Sequence, residues 1–373
     1  MDIFIQLARE SGLANITLGN FAMFVIAGIL IYLAIAKKYE PLLLIPIGFG
    51  AILANLPLAD MASDGGGLIS VIYDAGIQTE LLPPLIFLGV GVLTDFRPLL
   101  GRPLTFLLGA AAQLGIFVAA LGAFYLLGFD AQEAASIGII GGADGPTSIF
   151  LAAQLAPHLL GPVAVAAYSY MSLVPIIQPP ILRMLTTKAE RAIDMPQAKP
   201  VSQRAAILFP IVTGVLASLA VPSSAPLLGM LMFGNLLRES GVTERLKKTA
   251  GGPMIDIVTI LLGLCVGAST DASRFLTPAS VKIALLGAVS FCVATAAGVL
   301  FAKFMNLFAK DKINPIIGAA GVSAVPDSAR VCQMVGARED PQNFLIMHAM
   351  APNVAGVIGS AVAAGVFLSR FVF

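Results

Sequence analysis

The chain has 373 residues, of which 58% are hydrophobic and 12% charged; a soluble domain carries about 25% charged residues. The net charge of +1 implies no nucleic-acid partner. The apolar content excludes an ordinary soluble enzyme and indicates an all-α polytopic membrane protein. With 24 prolines and 37 glycines, the chain holds more helix breakers than straight spanning helices need, as in transporters and pumps with broken helices.

Residues 1–17 are mixed, include Arg9 and Glu10, and lack the basic start and small-residue cleavage site of a signal peptide. They are read as an N-terminal surface segment. Apolar runs then predict helices near 18–37, 41–58, 81–96 and 104–128. The segment 134–156 does not fit a crossing, because a crossing there would put the basic loop 183–204 outside. It is read as a re-entrant hairpin, followed by a helix at 162–184. Residues 186–203 form a polar cytoplasmic linker. Helices near 204–222, 225–238, 253–270 and 281–307 follow, then a second hairpin at 313–337 and a last helix at 343–369.

The basic loops are Lys37–Lys38, Arg97–Arg102, Arg183–Arg204, Arg238–Lys248, Lys303–Lys312 and the turn at Arg338. Placing them in the cytoplasm gives each half five crossings plus one hairpin, with Arg274 and Lys282 as misfits. An odd crossing number inverts the second half. Weak internal matches agree: Pro41-Leu42-Leu43 with Pro226-Leu227-Leu228, Thr94-Asp95 with Thr270-Asp271, and Pro146 and Ser148 with Pro326 and Ser328. The expected architecture is two inverted membrane repeats, 18–185 and 204–373, whose hairpin tips meet near mid-membrane.

Asp144 dominates the functional reading. It lies in Ile139-Ile140-Gly141-Gly142-Ala143-Asp144-Gly145-Pro146-Thr147-Ser148, where a carboxylate costs at least a few kcal/mol and is a functional-site hypothesis by default. The bland alternative is a structural acid neutralised by protonation or by Arg330. The first tip offers Asp144, Thr147 and Ser148; the second offers Asn314, Ser323, Asp327, Ser328 and Arg330, with Gly318 and Gly321 allowing close approach. Carboxylate, amide, hydroxyl and carbonyl oxygens suit a hard cation. Thr147 and Ser148 could equally be back-bonded hydroxyls, and Asp327 with Arg330 an i,i+3 ion pair. In the helices after the tips, Tyr168 reads as an interfacial anchor, Tyr170 as a polar group further inside, and Asn353 as a cavity-lining or carbonyl-capping amide. Cys265, Cys292, Cys332, His158 and His348 lack metal or disulfide spacing. No phosphate loop or dinucleotide fingerprint is present, so work must draw on an ion gradient or on chemistry delivered by a partner.

The motifs Gly142-Ala143-Asp144-Gly145-Pro146-Thr147, Tyr168 through Pro180 (YSYMSLVPIIQPP) and Asn314 through Ala324 (NPIIGAAGVSA) resemble those of the membrane beta subunits of the sodium-translocating biotin-dependent decarboxylases, over essentially the whole chain. That resemblance implies an elevator-like architecture and decarboxylation of carboxybiotin coupled to outward Na+ transport, with a proton consumed. It implies Asp144 as the acid that exchanges Na+ and H+, Tyr170 in proton delivery, and functional roles for Asn314, Gly318, Ser323, Arg330 and Asn353. Arg330 is the candidate for holding the carboxybiotin carboxylate, with Ser323 and Asn353 beside it; Asp144, Asn314, Gly318, Ser323, Thr147 and Ser148 are the candidate Na+ ligands. Implied partners are a carboxyltransferase, a biotin carrier, a small gamma- or delta-type membrane subunit and further copies of the chain, in the bacterial cytoplasmic membrane. The alternative is a stand-alone Na+-coupled transporter of an organic anion.

Overall fold

The computed structural model describes residues 11–61 and 66–371. Most of the expected surface segment 1–17 lies outside them; within them, Gly12–Asn15 forms a single 3-10 turn. Every described element is helical. In chain order the main helices are α1 (Leu18–Ala36), α2 (Pro41–Ala54), α3 (Leu82–Leu93), α4 (Pro103–Leu126), α5 (Ala131–Gly138), α6 (Gly145–Leu155), α7 (Leu160–Leu185), α8 (Gln203–Ala220), α9 (Met230–Glu239), α10 (Glu244–Ala268), α11 (Pro278–Phe308), α12 (Asp327–Gly336) and α13 (Ile346–Phe371). Local chemistry sets their starts. Thr17 and Asn20 close a capping box at α1, and Asp130 and Glu133 close one at α5, which satisfies N–H groups that a helix start leaves open.

Among the described residues, seven helices are long and apolar enough to cross a membrane: α1, α4, α7, α8, α10, α11 and α13. The expected crossings at 41–58, 81–96 and 225–238 are shorter, at 14, 12 and 15 helical residues, the last counting the π-helical Ala225–Gly229 that runs into α9, against the ~20 residues that span a bilayer core. Leu68–Gln78 meets α3 at a 66° bend. α1 and α8 leave Phe21, Ile35, Leu216 and Leu219 exposed, an apolar surface suited to lipid.

The packing is reciprocal between the halves. α2 packs on α10 and α3 on α9; α7 packs on α11 and α4 on α13. Helix–break–helix segments occur at the two positions where hairpins are expected. In the first, α5 passes through the 3-10 turn Ile139–Gly142 to α6; in the second, the 3-10 turn Pro315–Gly321 leads through residues 322–326 to α12. Each turn lies against α4 and α11.

Glycine permits that approach. A Cβ at Gly298 would sit 2.0 Å from the Gly318 carbonyl oxygen, and one at Gly141 would sit 2.2 Å from that of Gly115. Small residues let backbones close in a medium that supplies little hydrophobic drive between helices. Gly298→Ala is therefore expected to cost about 1–3 kcal/mol through overpacking. Gly28→Ala, where a Cβ meets nothing within 4 Å, should be neutral or stabilising by up to ~1 kcal/mol. Thermal unfolding in detergent checks the pair, and equal midpoints would refute the packing argument.

Candidate functional site

The site begins where the first broken segment turns. Ala143 adopts a left-handed conformation at φ 51°, which reverses the chain and leaves Asp144 as the N-cap of α6. Asp144 Oδ1 accepts from the Thr147 amide at 3.1 Å, and Oδ2 accepts from the Ser360 hydroxyl of α13 at 2.6 Å. The carboxylate is 5% exposed. An acid at a helix N-terminus gains from the unpaired N–H groups and the dipole there, so this start can hold negative charge away from bulk water.

The second break is joined to the first by one backbone bond: the Ser323 amide donates to the Gly142 carbonyl at 2.9 Å. Carbonyls freed by a break cost several kcal/mol each in a membrane unless something donates to them. Three buried amides do so. Asn353 donates to Ala320 and Val322, both at 2.8 Å; Gln113 donates to Gly321 at 3.3 Å and Gln178 to Ala319 at 3.1 Å.

The same side chains leave oxygens over. Asn353 Oδ1, Gln113 Oε1, Gln178 Oε1, Thr147 Oγ1, Ser323 Oγ and the Tyr168 hydroxyl are buried without a hydrogen-bond partner. Each such group costs about 1–3 kcal/mol and calls for an explanation such as a water or an ion. One carboxylate with neutral oxygens is the donor chemistry of a hard cation of low charge. No group of three or more His, Cys, Asp or Glu side chains suited to a metal occurs among the described residues.

Asp144, Tyr168 and Ser323 line one cavity of about 400 Å³ that extends to Glu40, in the turn between α1 and α2. That volume falls within the ~300–1,000 Å³ of small-molecule sites. Glu40 takes a left-handed conformation at φ 35°. Its carboxyl is pushed up to about 7, first by burial and then by the neighbouring Asp327 carboxylate, with Arg330 pulling the other way.

The other expected site residues are distributed as follows. Ser148 spends its hydroxyl on the Asp144 carbonyl at 2.7 Å, the back-bonded arrangement, whereas Thr147 keeps its hydroxyl free. Asn314 caps the Pro315–Gly321 turn and donates to the carbonyls of Arg191 at 2.8 Å and Ile193 at 3.0 Å. Gly318 is a backbone contact with α11. Arg330 forms the i,i+3 pair with Asp327 at 3.2 Å and is 65% exposed. Tyr170 is directed at α11, its hydroxyl donating to the Ala284 carbonyl, and is not among the residues lining the cavity. Tyr168 is corrected: it is fully buried, so it is no interfacial anchor, and its ring packs on Gly145. Sequence reasoning missed Gln113, Gln178, Ser360 and Glu40. The first two are lone amides in apolar runs, which the rule applied to Asp144 would have flagged. Glu40, between Lys37-Lys38 and Pro41, reads as a loop charge, and Ser360 carries no signal in its small-residue helix.

The model of one protein family, described as the Na+-transporting oxaloacetate decarboxylase beta subunit, matches residues 19–371. The methylmalonyl-CoA decarboxylase subunit beta of Veillonella parvula is 58% identical, covering 97% of this chain and 95% of its own. The glutaconyl-CoA decarboxylase subunit beta of Acidaminococcus fermentans is 54% identical over 99% of both chains. A probable oxaloacetate decarboxylase beta chain of Pasteurella multocida is 51% identical, covering 99% of this chain and 98% of its own.

Ser360→Ala removes one of the two donors to Asp144 and leaves Oδ2 buried without a partner. The expected loss is about 1–3 kcal/mol of stability, part of which added Na+ restores while choline does not. A thermal-shift series reads both effects; a loss insensitive to Na+ would count against a cation beside Asp144.

Proposed function

The chain belongs to the beta subunits of the Na+-transporting decarboxylases, and from that premise we propose that it decarboxylates carboxybiotin handed over by partner subunits and moves Na+ outward in the process. The membership makes it a multi-pass membrane subunit of a decarboxylase complex. The relatives supply an argument for the immediate substrate. Beta subunits named for methylmalonyl-CoA, glutaconyl-CoA and oxaloacetate enzymes share half or more of their residues with this chain. A site common to all three is better matched to a shared intermediate than to any one acyl substrate. Carboxybiotin, made by a carboxyltransferase and brought by a biotin carrier, is that intermediate.

The observation that carries the reading is Asp144 in the lining of the cavity, beside the unpartnered hydroxyls of Tyr168 and Ser323. Na+ is the cargo, and Asp144 with the Thr147 and Ser323 hydroxyls is the set proposed to hold it. A bare charge in low dielectric is costly unless compensated, so Asp144 alternates between Na+ and a proton. Arg330, 65% exposed, has donors beyond its single bond to Asp327 and is proposed to receive the carboxylate of carboxybiotin. Loss of CO2 breaks the bond between carboxylate carbon and ring nitrogen, leaving the electron pair on nitrogen, which takes up one proton. Tyr170 is proposed to act from the α7–α11 contact by positioning α7, and Asn353 by holding the second break in shape.

Reciprocal helix contacts and the paired glycine approaches support two repeats, 18–185 and 204–373, in opposite orientations. The two breaks would then be re-entrant tips, with one bundle moving against the other in the elevator manner to expose Asp144 to each side in turn. We place the chain in the bacterial cytoplasmic membrane with a small membrane subunit and further copies of itself.

In the purified membrane complex, CO2 release from carboxybiotin is expected to rise with Na+, and Asp144→Asn is expected to abolish the Na+-dependent part. Full Na+-dependent release by the Asn variant would refute the role of Asp144.

A further inference from the structure

Two carboxyl groups line the cavity, and their surroundings differ. Asp144 is surrounded by donors: a backbone N–H on Oδ1 and a hydroxyl on Oδ2. Those donors can hold the carboxylate when a cation is bound beside it. Glu40 has the opposite surroundings. Beyond burial, the Asp327 carboxyl is a neighbouring like charge that raises its pKa, and a like charge nearby disfavours ionisation. Asp327 in turn is paired with the Arg330 guanidinium at 3.2 Å. Burial and this carboxyl neighbour favour the protonated form of Glu40.

Position adds to this. Glu40 and Asp144 line the same cavity, together with the unpartnered hydroxyls of Tyr168 and Ser323. Tyr168 is fully buried and Ser323 is 5% exposed, so both are polar groups awaiting a ligand inside the cavity. The left-handed backbone at Glu40, with Pro41 directly after it, holds the side chain at the turn. The charged and titratable groups around it are Asp327 and Arg330 from α12, Tyr168 from α7, Asp144 on the same cavity, and Lys37 and Lys38 on its own turn.

We infer that Glu40 is the general acid of the decarboxylation, the group that gives its proton to the ring nitrogen of biotin as CO2 departs. This rests on the reading that carboxybiotin is decarboxylated in this cavity. As the carbon–nitrogen bond breaks, the electron pair stays on nitrogen and accepts the Glu40 proton. Carboxybiotin and one proton become biotin and CO2, and Glu40 is left as a carboxylate beside Asp327. Repulsion between the two anions then favours prompt reprotonation, from water or from the proton that Na+ displaces at Asp144. A general acid works best with its ionisation near the working pH, and that of Glu40 lies at about 7. The protonated form is the active one, so the rate falls as pH rises through that value.

The test measures CO2 release from free carboxybiotin by the assembled complex at saturating Na+, across pH, for wild type, Glu40→Gln, Glu40→Asp and Asp327→Asn, with Na+ affinity measured in parallel. Glu40→Gln is expected to lower the maximal rate by roughly 10²-fold, to remove the limb near pH 7, and to leave Na+ affinity unchanged. Glu40→Asp is expected to recover part of the rate and the limb. Asp327→Asn, which removes the neighbouring negative charge, is expected to move the limb to lower pH. A Glu40→Gln complex that keeps the wild-type rate and limb would overturn the inference while leaving the proposed function standing. So would one that loses Na+ affinity in step with rate, since that is the signature of a structural role. A wild-type complex that releases no CO2 from carboxybiotin would instead remove the proposed function, and the inference with it.

Discussion

A single hydrogen bond from the Ser323 amide to the Gly142 carbonyl joins two broken helices where a bilayer supplies no water. The rest of the site depends on it. Breaking a helix at membrane depth frees carbonyls whose neglect costs several kcal/mol each, so a broken pair persists only if its polar groups find partners in one another or in nearby side chains. Gln113, Gln178 and Asn353 take up the carbonyls of the second break. In doing so they leave their own oxygens buried and unpartnered. The remedy for one problem thus leaves spare buried oxygens around the second break, which the Ser323 amide ties to the segment carrying Asp144.

The cavity then separates two tasks by environment rather than by residue type. Asp144 and Glu40 are both carboxylic acids. One is wrapped in N–H and O–H donors, and the other has as neighbour the Asp327 carboxyl, which pairs with Arg330. Two similar groups in different surroundings can serve different tasks: the proposed roles give Asp144 to a cation in exchange with a proton, and Glu40 to the nitrogen that loses CO2. Placing both on one cavity gives a physical route for coupling, because each event changes the charge that the other experiences.

Much of this is legible in the sequence, for reasons of energy. An aspartate among Ile, Gly and Ala announces itself because its burial is so unfavourable, and Gly and Pro mark both breaks because few other residues allow them. The loop charges place the breaks at the right segments. Three aspects are not legible. The helices α2, α3 and α9 are shorter than the apolar runs that contain them, and hydropathy along the chain does not mark where they stop. Tyr168 and Tyr170 differ by two residues and so face different sides of α7, which periodicity alone cannot assign without knowing where the cavity lies. Glu40 looks like an ordinary loop acid until folding brings Asp327 and Arg330 beside it from the far half of the chain.

The central claim is that Na+ and a proton compete for Asp144. The most direct measurement adds Na+ to the purified, weakly buffered complex and follows pH with an indicator, wild type against Asp144→Asn. The account predicts proton release on Na+ binding in the wild type and none in the variant. Na+ binding without proton release, or release that persists in the Asn variant, would contradict it.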